Sequence, residues 1–138
     1  MPDPSPSENR ERPLSPHLQV YSPQLTSVMS ILHRITGAAN TIGLLLFSAW
    51  LIAMAINEKT YMCFVDFMAT PFGQVLLIGW SFSVYYHLCN GIRHLFWDAG
   101  YLFKLKNAYR AGYTVLAVSF LMTAGMWVCI YTYHPGVN

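Results

Sequence analysis

The chain has 138 residues, of which 54% are hydrophobic and only 10% are charged. Soluble domains carry about 25% Asp, Glu, Lys and Arg, so this composition excludes a soluble enzyme, a disulfide scaffold and a disordered chain. A net charge of +2 without a Lys/Arg cluster excludes nucleic acid as a partner, and the length allows one domain at most.

The charges are unevenly spread. Residues 35–57, 67–92 and 111–138 contain no Asp, Glu, Lys or Arg. Each gap exceeds the roughly 20 apolar residues that span a bilayer, which predicts a polytopic membrane protein. In chain order, residues 1–11 carry Pro2, Pro4 and Pro6 among Ser, Asn and acidic residues. Such a stretch buries too little apolar surface to order itself, and residues 12–21 read as extended. No signal-peptide or transit-peptide pattern is expected in this segment.

The first helix is predicted over residues 23–56, with Ser22-Pro23 as a cap followed by proline at the first helical position. Asn57-Glu58-Lys59-Thr60 breaks it, and residues 61–69 read as a short amphipathic piece at the interface. Thr70-Pro71 repeats the start signal for a second helix over residues 70–98. A basic loop with Lys104 and Lys106 follows, Arg110 lies just beyond it, and a third helix covers residues 108–133 before His134-Pro135-Gly136. The expected fold is an all-α membrane protein with three transmembrane helices over residues 22–138, preceded by the 1–21 segment. Arg10, Arg12, Arg34, Arg93, Lys104, Lys106 and Arg110 fall on one side and Lys59 on the other. The positive-inside rule then predicts N-terminus in, C-terminus out. Cys63, Cys89 and Cys129 show no C-x-x-C spacing and read as small hydrophobes.

Two polar clusters interrupt the apolar runs, although a charge at the centre of a span costs about 2.5–3.5 kcal/mol. In the first, Ser30, Arg34, Gly37 and Thr41 share one helical face, within about 60° of each other. That stripe suits a partner helix, a cofactor edge or a polar ligand. Equally, Arg34 can snorkel to the inner headgroups with His33 at the interface. In the second, His87, Gly91, His94 and Asp98 share a face, and His87 lies about 9 Å along the helix from Arg93. Neutral imidazole is a frequent axial ligand to haem iron, and Gly91 would let a flat macrocycle approach the backbone. Arg34, Arg93 and His94 stand where propionates need cations or donors. The competing reading of His87 is a hydrogen-bonded packing residue. One deep histidine cannot supply both axial ligands, so a bis-histidine haem requires a second chain. His17 and His134 read as surface residues and Asp66 as interfacial.

Arg12-Pro13-Leu14, Ser30-x-x-His33-Arg34-x-Thr36 and His87-x-x-x-Gly91-Ile92-Arg93-His94-Leu95-x-Trp97-Asp98-x-Gly100 occur in this order. With three predicted spans, the chain resembles the cytochrome b556 subunit family of succinate dehydrogenase (complex II), over most of its length. The resemblance implies half of a six-helix bundle completed by a second hydrophobic anchor subunit, clamping one haem b and anchoring the iron–sulfur and flavoprotein subunits. It implies His87 as axial ligand to the haem iron, with the other histidine from the partner anchor. His33, Arg34, Arg93 and His94 would surround the haem edge, and Ser30, Ile31 and Arg34 would line the ubiquinone site. The chain would pass electrons from succinate oxidation to quinone but hold no flavin or iron–sulfur site of its own, in a bacterial inner membrane rather than a mitochondrial one. Two alternatives stand beside this: the anchor of a quinol:fumarate reductase, and a haem-free structural or assembly protein. A small channel is weaker, because no charged ring marks a pore.

Overall fold

The structure is a computed structural model that describes residues 22–133. The expectations for the 1–21 segment, for His17 and for His134 lie outside the described residues. Four helices follow one another: α1 (Leu25–Ile56), α2 (Glu58–Ala69), α3 (Pro71–Asp98) and α4 (Leu105–Tyr133).

Each helix boundary has a local cause. Ser22 and Pro23 stay outside α1; its first turn is closed by Ser27 N–H and Val28 N–H donating to the Gln24 carbonyl, both at 3.0 Å, without a side-chain cap. Asn57 is a single extended residue that ends α1 and starts α2. Its side-chain oxygen accepts from Thr60 N–H at 2.8 Å and from the Thr60 hydroxyl at 3.0 Å, an N-cap arrangement. Helix α2 therefore begins at Glu58, inside the predicted break, and replaces the predicted short piece by a full helix. Thr70 caps α3 by accepting from Gly73 N–H, with Pro71 in the first turn, and the chain bends 80° between α2 and α3. At the other end of α3, Gly100 adopts a φ of +86°, Gly100 N–H donates to Trp97 O and Tyr101 N–H to Phe96 O. This paired closure is the Schellman motif, which needs a residue free to take a left-handed conformation. Leu102, at φ +69°, follows it, and α4 starts at Leu105, so Lys106 belongs to the helix rather than to the loop.

Helix α3 packs along both α1 and α4, which touch each other less. Ala108, Gly112, Val115, Ser119 and Thr123 form the buried stripe of α4, small residues of the kind that let membrane helices approach closely. The Ser119 and Thr123 hydroxyls donate to carbonyls one turn back, at 2.7 and 2.8 Å, so neither polar group is orphaned. Met29, Tyr86 and Val115 form the core where α1, α3 and α4 meet. Much of the outer surface is apolar: Leu45 on α1 and Leu121 on α4 are both two-thirds exposed. Helices α1 and α4 are each long and apolar enough to cross a membrane, and α3 reaches that only together with α2. The reason lies in its sequence, because α3 carries Tyr85, Tyr86, His87, Asn90, Arg93 and His94.

Candidate functional site

The α1–α3 seam brings the two polar clusters together. His87 packs against the first cluster closely enough that a Cβ on Gly37 would lie 3.3 Å from its Cε1. The His33 and His87 rings stack, with centroids 4.0 Å apart and 12° between planes. His94 leans on the other side of this pair, 5.2 Å from His33, and meets Trp97 edge-on at 5.4 Å. Three imidazoles thus form one cluster at the same end of the helix pair.

The hydrogen bonds of the cluster decide its chemistry. His87 Nδ1 lies 3.2 Å from the His33 carbonyl and 3.3 Å from Thr36 Oγ1. A carbonyl only accepts, and the Thr36 hydroxyl is itself directed at the Leu32 and His33 carbonyls. The bond therefore requires the Nδ1–H tautomer, which leaves the lone pair on Nε2, the form in which imidazole binds a metal. One turn away, a Cβ on Gly91 would meet nothing within 4 Å. The face that carries His87 is consequently open beside it, as a flat group would need. His33 Nδ1 is buried without a partner among the described residues. No group of three or more His, Cys, Asp or Glu that could hold a metal alone occurs among the described residues, so a metal at His87 would draw other ligands from elsewhere.

Ser30 is half-buried, while Ile31 and Arg34 are exposed at the same end of α1. Arg93 is set apart from the imidazoles. It is buried, donates from Nη1 to Asn90 Oδ1 at 3.1 Å, and lies over the Trp97 ring at 4.1 Å. It lies over Trp97, whose ring meets His94 edge-on, and six residues after His87 a helix has turned about 240°. The second cluster of the sequence is thus divided between two sides of α3. Sequence reasoning missed the link one turn deeper, where the Ser83 hydroxyl lies 2.9 Å from Asn40 Oδ1 and 3.1 Å from the Thr36 carbonyl. An Asn inside a charge-free run was the available signal. Cys63, Cys89 and Cys129 are free thiols.

The sequence matches a known family. Residues 8–126 match the family model described as succinate dehydrogenase/fumarate reductase transmembrane subunit. The chain is 41% identical over 118 residues to a protein of Rickettsia prowazekii (strain Madrid E) named succinate dehydrogenase cytochrome b556 subunit, covering 86% of this chain and 92% of that one. A Paracoccus denitrificans protein of the same name is 38% identical over 111 residues, covering 80% and 85%. A Reclinomonas americana protein named succinate dehydrogenase cytochrome b560 subunit is 37% identical over 125 residues, covering 87% of each.

Proposed function

The chain belongs to the succinate dehydrogenase/fumarate reductase transmembrane subunit family, and from that premise we propose that it is the haem b- and ubiquinone-binding membrane anchor of succinate dehydrogenase (complex II). In this reading α1, the α2–α3 pair and α4 are three spans, with the N-terminus inside and the C-terminus outside. A second hydrophobic anchor completes a six-helix bundle and supplies the other haem ligand, and the iron–sulfur and flavoprotein subunits dock on the inner side. The relatives named as succinate dehydrogenase subunits favour succinate oxidation over the fumarate-reducing direction. The proposed membrane is a bacterial inner membrane, in keeping with the bacterial Rickettsia and Paracoccus relatives, while a Schizosaccharomyces pombe relative is named as mitochondrial.

The observation that carries the proposal is the Nδ1 bond of His87 to the His33 carbonyl, which leaves Nε2 free to ligate beside the open flank of Gly91. The group fits these residues: His87 would be the axial ligand, and His33, His94 and Arg34 would supply donors to its carboxylate edge. When bound, haem supplies a one-electron redox centre within the membrane. The chain's own part in quinone reduction rests on Ser30, Ile31 and Arg34. Arg34 would offer a fixed cation to the quinone oxygen as negative charge develops there, which is where such a group lowers a barrier. Ser30, one turn earlier, would donate a hydrogen bond, and Ile31 would give the ring an apolar wall. The dehydrogenation itself would occur on another subunit.

A reduced-minus-oxidised visible spectrum of the purified complex tests this. The wild type should show a b-type signal that His87→Ala abolishes or nearly abolishes; an unchanged spectrum in the variant would remove His87 from the haem site.

A further inference from the structure

Arg93 is the least satisfied polar group in the described part of the molecule. Its side chain is 3% exposed, yet Nε and Nη2 have no partner among the described residues, and neither has Nδ2 of the adjoining, fully buried Asn90. The Asn90 amide oxygen and the face of Trp97 engage the rest of the guanidinium, and both are neutral. An unpaired buried charge costs several kcal/mol, so an anionic acceptor belongs against these donors.

The surroundings narrow what that acceptor is. Arg93 lines a cavity of about 360 Å³ between α3 and α4, walled by Ile92, Phe96, Val115 and Val118, with Thr114 at its side. The Thr114 hydroxyl is already committed to the Arg110 carbonyl at 3.0 Å, which leaves Arg93 as the charged residue lining an otherwise apolar groove. Ile92, Phe96 and Val118 are 46%, 52% and 37% exposed, so the groove opens sideways, away from the helix core. On α3, Cys89, Ile92 and Phe96 lie about 140–200° around the axis from His87, on the back of the helix relative to the imidazole cluster. From Ala111 to Val118 the groove follows α4 for about 10 Å. Arg93 is about 7–8 Å from the end of α3, just below exposed Lys104, Lys106 and Arg110. That is the depth where headgroups meet acyl chains, next to a basic surface that attracts anionic lipid.

We propose that this groove is a binding site for one anionic phospholipid, with a phosphodiester oxygen on Arg93 and an acyl chain along Ile92, Val115 and Val118. A trapped water would meet the donors but leave the charge uncompensated. A free phosphate would leave the apolar walls unfilled. The charge-assisted hydrogen bond from guanidinium to phosphate and the apolar groove together call for an amphiphile with a negative head.

The test uses the intact complex in nanodiscs of phosphatidylcholine with increasing phosphatidylglycerol, following its thermal unfolding. A ligand that binds only the folded state raises Tm progressively with the logarithm of its concentration above Kd, and the wild type should show that rise. Arg93→Met should lose it, or need roughly tenfold more phosphatidylglycerol for the same rise in Tm. A Lys104→Gln/Lys106→Gln variant, which weakens only the general surface attraction, should keep it. If Arg93→Met does not assemble, Val118→Trp fills the groove with the charge still present and should lose the rise in the same way. The proposal fails if the wild type shows no phosphatidylglycerol dependence, if it persists in both Arg93→Met and Val118→Trp, or if the lysine variant loses it.

Discussion

The imidazoles of His33 on α1 and His87 on α3 lie face to face, with centroids 4.0 Å apart and planes 12° apart. Helix α1 holds His87 in two separable ways: the His33 ring covers its face, and the His33 carbonyl accepts the hydrogen bond from its Nδ1–H. The first restraint belongs to the side chain and the second to the backbone.

That separation predicts an asymmetric result for substitutions at His33. His33→Ala keeps the carbonyl, and with it the tautomer of His87, but frees the ring to rotate. The b-type absorbance per complex should fall to partial occupancy rather than vanish. His33→Phe restores a stacking face and should recover most of the signal. Equal losses in the two variants would mean that the buried His33 Nδ1, and not the ring contact, is what matters.

Two glycines near His87 should respond differently to alanine. At Gly37 the new methyl would sit 3.3 Å from His87 Cε1, so His87 must shift by a few tenths of an ångström. Gly37→Ala should therefore alter the haem band. At Gly91 the methyl meets nothing in this chain, and removing a helical glycine stabilises by about 0.5–1 kcal/mol. Gly91→Ala should assemble normally and still lose haem, because the methyl enters the space the macrocycle needs. Gly125→Ala, equally open on α4, is the control that should leave the spectrum unchanged. Haem content per assembled complex checks all three.

Much of this was legible before any coordinates, for physical reasons. Charge is costly in lipid, so charge-free runs mark the apolar helices, and Thr70-Pro71 starts α3 as its chemistry requires. His87 and His94 can be grouped by helical offset alone, whereas His33 joins them only through the packing of α1 on α3. Other features depend on contacts that spacing does not encode. Asn57 closes one helix and opens the next with a single extended residue, which makes α2 begin inside the expected break. Arg93 is a cation near the inner end of α3, which is the sequence argument for placing it at a haem rim. The same 3.6-residue geometry that aligns His87 with His94 turns Arg93 toward α4. Only the packing of α4 shows how deeply it is buried.

At the proposed quinone site, Ser30 and Arg34 should act on one step and not another. Hydrogen bonds to charged groups contribute about 1.5–3 kcal/mol, so Arg34→Ala should slow succinate-driven quinone reduction by roughly tenfold or more. Ser30→Ala should have a smaller effect in the same direction. Succinate oxidation measured with a dye that bypasses quinone should be unaffected in both. Arg34→Lys keeps the charge but loses the planar donor fork, and should fall between wild type and Arg34→Ala. Normal quinone kinetics in both alanine variants would move the site elsewhere.

The last prediction concerns the far half of the α1–α3 seam, where the indole of Trp80 occupies the space a Cβ on Gly43 would take. Gly43 is therefore required by a close approach and not by its backbone angles. Adding a methyl forces an aromatic ring to move, and overpacking of this kind costs about 1–3 kcal/mol, more than the helix propensity gained. Gly43→Ala should lower the Tm of the complex. Trp80→Phe should be destabilising alone, since it gives up ring contacts beside an existing apolar cavity of about 380 Å³. It breaks no hydrogen bond, because Trp80 Nε1 has no partner among the described residues. Combined with Gly43→Ala, the smaller ring makes room for the methyl, so the double variant should be more stable than the sum of the two losses implies. Contacting pairs show coupling of about 0.5–3 kcal/mol. Strictly additive losses in a thermal-unfolding double-mutant cycle would mean that the two residues do not share this space.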